Sequence, residues 1–96
     1  MTNVLIMYDI DTTTSAGKKR LLQMAQKCES IGVRVQNSVF ECELSADKLR
    51  EVKEFFCSSI DHGTDSIRIY IIGKNYKRKL QTIGLQPMAV TDTYVF

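Results

Sequence analysis

The stretch Val4–Ile10 (VLIMYDI) is β-favouring and apolar at both odd and even positions until Asp9 interrupts it. Side chains along a strand alternate between two faces, so a run apolar on both belongs in the middle of a sheet covered from both sides. The remainder of the chain has to supply those covers. Its 96 residues suffice for one domain, and a domain of this size buries only ~60–65% of the surface of its unfolded chain. One cover is therefore expected from a second copy of the same chain. Hydrophobic residues at 44% and charged residues at 25% are those of an ordinary globular domain and exclude disorder, collagen and coiled coil. The longest uncharged apolar stretches, Val4–Tyr8 and Ile69–Ile72, are too short to cross a bilayer. No cationic segment precedes Val4 as it would in a secretory signal, so a cytoplasmic location without membrane contact is expected.

Thr12–Ser15 is a cluster of turn and N-cap formers, which predicts a helix from about Ser15 to Ile31. Leu21, Ala25, Cys28 and Ile31 form its inner stripe, with Leu22 and Met24 beside them. Gly32 is expected to stop it as a left-handed cap. Val33–Leu44 is β-rich but changes phase, because Val33 and Val35 share one parity while Phe40, Cys42 and Leu44 hold the other. A regular strand cannot slip by one, so either a hairpin turns at Asn37-Ser38 or a bulge sits there, and two short strands are the better fit. Ser45 caps a second helix, Ala46–Ile60, with Leu49, Val52, Phe56 and Ile60 inward; Asp61–Thr64 is a loop, and Ser66–Ile72 alternates Ile67, Ile69 and Ile71 with Arg68 and Tyr70. After Gly73 come the basic segment Lys74–Lys79, an extra strand around Leu80–Leu85, Pro87, and a β-prone tail, Thr91–Phe96. The order β-α-β-β-α-β is that of a ferredoxin-like α+β plait, with residues 1–73 as the core and 74–96 as an appendix. Two helices cover one sheet face, and a homodimer covers the other.

Cys28, Cys42 and Cys57 form no close pair, and His62 is not spaced to join them, so they read as reduced thiols and not as zinc ligands. The net charge of +2 is small, but between Asp65 and Asp92 there is no carboxylate, while Arg68, Lys74, Lys77, Arg78 and Lys79 all fall there. Such a basic stretch suits a polyanion partner as well as a solvated surface. Asp9, at the end of a buried strand, either caps the following turn or, with its copy across a dimer axis, offers oxygen ligands to Mg²⁺ or Mn²⁺. Lys18, Lys19 and Arg20 stand at a helix start, where the helix dipole disfavours cations and phosphate binding favours them. Arg34 can hold a phosphate bidentately, Ser38 can bond a phosphate or water, and Phe40 taken alone reads as core. Tyr76 among cations can stack on a base or anchor a polar loop. No glycine-rich nucleotide loop, zinc-protease or serine-hydrolase motif is present.

Tyr8-Asp9-Ile10, the helix start Lys19-Arg20-Leu21, GVRVQNSVFEC (Gly32–Cys42), DSIRIYIIG (Asp65–Gly73) and Asn75-Tyr76-Lys77 follow the order and spacing of the CRISPR-associated Cas2 family, which the chain resembles over Asn3–Pro87, most of all in its type I-C members. The resemblance implies a ferredoxin-like homodimer that works in spacer acquisition, holding incoming duplex DNA between two dimers of the CRISPR integrase. It also implies a metal-dependent endonuclease, acting on single-stranded RNA or double-stranded DNA with Mg²⁺ or Mn²⁺. On that basis Asp9 is the metal ligand and catalytic with Ser38 and Phe40, while Tyr8, Arg20 and Arg34 contact nucleic acid. Lys19, Lys77, Arg78 and Lys79 join the contacts on charge alone. A dimer in which the catalysis is dispensable and the basic rim binds duplex phosphates is the alternative.

Overall fold

The computed structural model describes residues 1–86. Its elements are β1 (Thr2–Asp9), α1 (Ser15–Ile31), β2 (Gly32–Gln36), β3 (Val39–Leu44), α2 (Ala46–Ser59), β4 (Ser66–Ile72) and a single basic turn of helix, α3 (Tyr76–Lys79). The strands make one antiparallel sheet in the order β2-β3-β1-β4, the arrangement of a ferredoxin-like plait. The most apolar strand, β1, lies inside, between β3 and β4.

The helices start where short polar side chains catch free backbone donors. Thr14 accepts a hydrogen bond from Gly17 N at 3.0 Å, and Ser45 accepts one from Lys48 N at 3.1 Å. The even residues of β1 (Val4, Ile6, Tyr8) face α1 and α2 together with Phe40, Cys42 and Leu44 of β3, and Met24, Cys28, Val52 and Phe56 close over them. Leu21, Ala25 and Ile31 are half-buried, and Leu22 stands on the outer side of α1 at 58% exposure, so the inner stripe is narrower than its spacing suggested. Burial pushes the Cys28 thiol up to about 12 and the Cys42 thiol up to about 11, whereas Cys57 is exposed; all three are free.

The phase break resolves both ways at once. Asn37 and Ser38 form the hairpin turn, and a register shift between Arg34 and Gln36 marks a bulge just before it. Two expectations need correcting. Gly32 is no left-handed cap: it is extended (φ −162°) and is the first residue of β2. Its lack of a side chain serves a close approach, since a Cβ there would strike Cys42 Sγ and the Glu41 carbonyl. The strand expected at Leu80–Leu85 does not form; these residues carry no regular structure. Leu80–Ile83 line a trough over the outer sheet face with Leu5, Met7 and Glu41, whereas Leu85 is exposed. Pro87 and the tail Thr91–Phe96 lie outside the described residues. Among the described residues, no helix is long and apolar enough to cross a membrane.

Candidate active site

The plait brings three connections to one end of the sheet: the β1–α1 loop, the β2–β3 turn and the α2–β4 loop. Asp9 ends β1 there, paired with Ser66 of β4. Its odd position sets it on the face turned away from the helices, in line with Leu5 and Met7. The side chain is exposed and forms no ion pair with a described residue.

The neighbouring acids are committed elsewhere. Asp11 Oδ1 accepts from Thr13 N at 2.9 Å, and this bond holds the Asp11 carboxyl below its usual range. Asp65 is buried. Its Oδ1 accepts from Asp11 N (3.0 Å) and Thr64 Oγ1 (3.2 Å), and its Oδ2 accepts from Arg20 Nε (2.8 Å) and Asp61 N (2.9 Å). Burial by itself would raise its pKa. The donors outweigh burial, Arg20 first, and keep the carboxyl well below the usual carboxylate range. Arg20, expected among the phosphate-holding cations, thus spends its Nε on Asp65.

The β2–β3 turn reaches the end of β1 through Tyr8 N, which donates to the Ser38 carbonyl at 3.1 Å, and the Ser38 side chain is half-buried. Behind it lies a stack. The Tyr8 and Phe40 rings are 6.1 Å apart and near parallel, and the Arg34 guanidinium lies 5.1 Å from the Phe40 centroid. Phe40 has no exposed surface and Tyr8 is 6% exposed, the core position that Phe40 takes when read by itself. They support Arg34, whose Nη2 also donates to Glu29 at 2.8 Å.

Lys18 and Lys19 are exposed and unpaired among the described residues, as are Lys77, Arg78 and Lys79 on α3. The basic turn is pinned to the sheet by Tyr76, whose hydroxyl donates to Glu41 Oε1 at 3.2 Å. Burial and the adjacent Glu41 raise the Tyr76 pKa, which favours the donor form. His62 places Nε2 2.7 Å from the Cys57 carbonyl.

Among the described residues, no three His, Cys, Asp or Glu side chains gather as a metal-ligand set. Within one protomer the exposed Asp9 carboxylate is the strand-end oxygen donor on the outer face. That fits Mg²⁺ or Mn²⁺, which keep several waters and take one or two carboxylates plus substrate phosphate, and it does not fit zinc. Two residues of this end were not singled out from sequence. Asp65 carries no local signal, since its four donors come from three separate segments. Gly17 carried a signal, a glycine in the first turn of a helix where it costs ~1 kcal/mol. A Cβ there would strike the Asp11 carbonyl.

Residues 1–80 match the family model described as CRISPR associated protein Cas2. A relative from Halalkalibacterium halodurans, named CRISPR-associated endonuclease Cas2, is 48% identical over 94 residues, covering 97% of this chain and 98% of that protein. One from Moorella thermoacetica, named CRISPR-associated endoribonuclease Cas2, is 43% identical and covers 85% of each chain. The crystal structure of Streptococcus pyogenes Cas2 superposes with a TM-score of 0.77 at 46% identity, over 85% of this chain and 99% of that one. A chain of a partial Cas6-RT-Cas1–Cas2 complex does so with a TM-score of 0.62 at 25% identity, over 86% and 91%. With the plait, the strand-end aspartate and the RVQNSVFE turn all in place, the chain belongs to the CRISPR-associated Cas2 family.

Proposed function

We propose that the chain works in CRISPR adaptation, in a system of type I-C, as a homodimer that binds duplex DNA between two dimers of the integrase and also cleaves phosphodiester bonds with Mg²⁺ or Mn²⁺. Relatives named as an endonuclease and an endoribonuclease support the activity, and a solved neighbour from a Cas1–Cas2 assembly supports the setting. The observation that carries the proposal is Asp9: an exposed strand-end carboxylate on the open sheet face, beside half-buried Leu5 and Met7. A second copy covering that face would bring its own Asp9 to the same seam. When bound, the divalent cation supplies a Lewis acid that activates water and offsets charge on the phosphate. Asp9 holds it, and the Ser38 hydroxyl orients the attacking water or the phosphate. Lys19, Arg34, Lys77, Arg78 and Lys79 hold the backbone, with Tyr8 and Phe40 fixing Arg34 from below. Backbone contacts of this kind serve RNA and DNA alike.

Asp9→Asn removes the charge and keeps the shape. In Mg²⁺ it is expected to lower plasmid nicking and RNA cleavage by roughly 100-fold or more, with duplex affinity intact; cleavage at the wild-type rate would remove Asp9 from the site. The scaffold reading is favoured by Lys77, Arg78 and Lys79 of α3, which form no ion pair among the described residues. If Asp9→Asn still supports spacer acquisition, binding alone is the biological role.

A further inference from the structure

We propose that Arg20 and Asp65 form a clamp that fixes the backbone on both sides of Asp9, so that Arg20 is a positioning residue and not a contact to nucleic acid. The inference rests on the reading of Asp9 as the catalytic carboxylate. Asp65 has no exposed side-chain surface, and its two oxygens accept four hydrogen bonds. The donors come from α1 (Arg20), from the loop that leaves β1 (Asp11) and from the α2–β4 loop (Asp61, Thr64). Asp11 lies two residues past Asp9, in the loop that continues β1. Ser66, next to Asp65, is the ladder partner of Asp9 across the sheet. The backbone carrying Asp9 is thus gripped from its own continuation and from the neighbouring strand.

The charges argue the same way. A guanidinium bonded to a buried carboxylate forms a locally neutral pair that exerts little long-range pull on a phosphate, while Lys19 next to it has no such partner among the described residues. Asp65 also cannot let Arg20 go cheaply, because a buried carboxylate stripped of its cation is left uncompensated. Gly17 completes the device. It allows the first turn of α1 to press on the Asp11 carbonyl, so that the residue whose N–H reaches Asp65 is held from both ends.

The test uses the full chain with Arg20→Ala, Arg20→Lys, Asp65→Asn and, as a reference, Lys19→Ala. Duplex DNA affinity is read against salt, cleavage against substrate and metal concentration, and amide hydrogen exchange over residues 10–17 and 61–66. The clamp predicts that Arg20→Ala and Asp65→Asn behave alike. Exchange in those two segments quickens by about 10-fold or more, while the central strands keep their protection. Cleavage falls through kcat by up to roughly 100-fold, as for a catalytic group displaced by ~1 Å. Duplex affinity and its salt slope stay at wild-type values, the double variant is no worse than either single one, and Arg20→Lys, which keeps the charge and loses the fork, fails to restore the rate. Lys19→Ala does the reverse, weakening binding and lowering the salt slope by about 0.9. The clamp is overturned if Arg20→Ala weakens binding and lowers the slope as Lys19→Ala does, if Arg20→Lys restores wild-type cleavage, or if exchange in the two segments is unmoved. Should the wild-type protein itself fail to cleave, the nuclease reading is lost, and the exchange and binding arms still decide whether Arg20 serves Asp65 or the phosphate backbone.

Discussion

On the helix-covered side of the sheet, Val4, Ile6 and Phe40 have no exposed surface, and Tyr8, Cys42 and Leu44 are almost as deeply buried. On the opposite side the same strands present Leu5, Met7, Val33 and Val39, all half-exposed, among Glu41, Glu43, Arg68 and Tyr70. The first face is finished within one chain. The second carries more apolar surface than a solvated sheet face needs and more charge than a core tolerates, and Tyr76 and Leu80–Ile83 lie over part of it. Asp9 sits at the end of the second face. Stability is thus concentrated on one side of the sheet and the proposed assembly and chemistry on the other.

Two substitutions of similar size can break that division. Phe40→Ala is expected to lower the free energy of unfolding by about 3–5 kcal/mol in denaturant titrations, since it empties a site closed by Tyr8, Ile6 and the helices. Met7→Glu, on the open face, should change unfolding of the single chain by no more than ~1 kcal/mol. It should weaken self-association by roughly 100-fold, or about 2.7 kcal/mol, in sedimentation or light scattering. If Met7→Glu unfolds the chain as Phe40→Ala does, or leaves association unchanged, the open face is not where a second copy sits.

The covered side was legible in the sequence because it depends on local period and on caps. The helix from Ser15 to Ile31 and the capping by Ser45 follow from patterns within a few residues of each other, and the structure has both. The parity change between Val35 and Phe40 announced the turn and the bulge together, without saying that both occur. What could not be read depends on distant partners. Gly32 ends α1 as expected, but in an extended conformation, and it is small because Cys42 approaches it. Leu80–Leu85 has strand composition but forms no ladder with the sheet. At the site, strand-end placement gave Asp9, whereas Asp65 collects donors as far as 54 positions away in sequence and looked like any surface acid. The family pattern implies contacts for Tyr8 and Phe40 but carries no information on which face of the sheet each ring occupies.

The basic turn sharpens the comparison from the open side. Lys77, Arg78 and Lys79 are all exposed, and replacing the three with Ala should weaken duplex binding and lower its logarithmic salt slope by up to ~2.7, at about 0.9 for each phosphate no longer neutralised. Chain stability should stay within ~0.5 kcal/mol, as for other surface changes. A slope equal to that of the wild type would place the DNA elsewhere.

A last effect is one of pH and belongs to the loop end of the sheet. Asp65 has a folded pKa held well below the usual carboxylate range by Arg20 and the backbone donors, against the upward push of burial. A group depressed on folding contributes stability that is fully present above its unfolded value of about 3.9. That contribution is lost as pH falls toward the folded value, because the unfolded chain then binds a proton that the native one refuses. The denaturant midpoint of the wild type should therefore decline from about pH 5 downward, the window set by the unfolded value. Asp65→Asn has no proton to take up at this position, so it should start lower at pH 6 and decline less steeply toward pH 2.5. Asp11 is depressed as well through its bond from Thr13 N, but it is accessible to solvent screening, and its replacement by Asn should leave the slope nearly intact. Parallel curves for wild type and Asp65→Asn would mean that the buried carboxylate is not the one the fold keeps ionised, and that the acid sensitivity of this end of the sheet arises from its exposed acids instead.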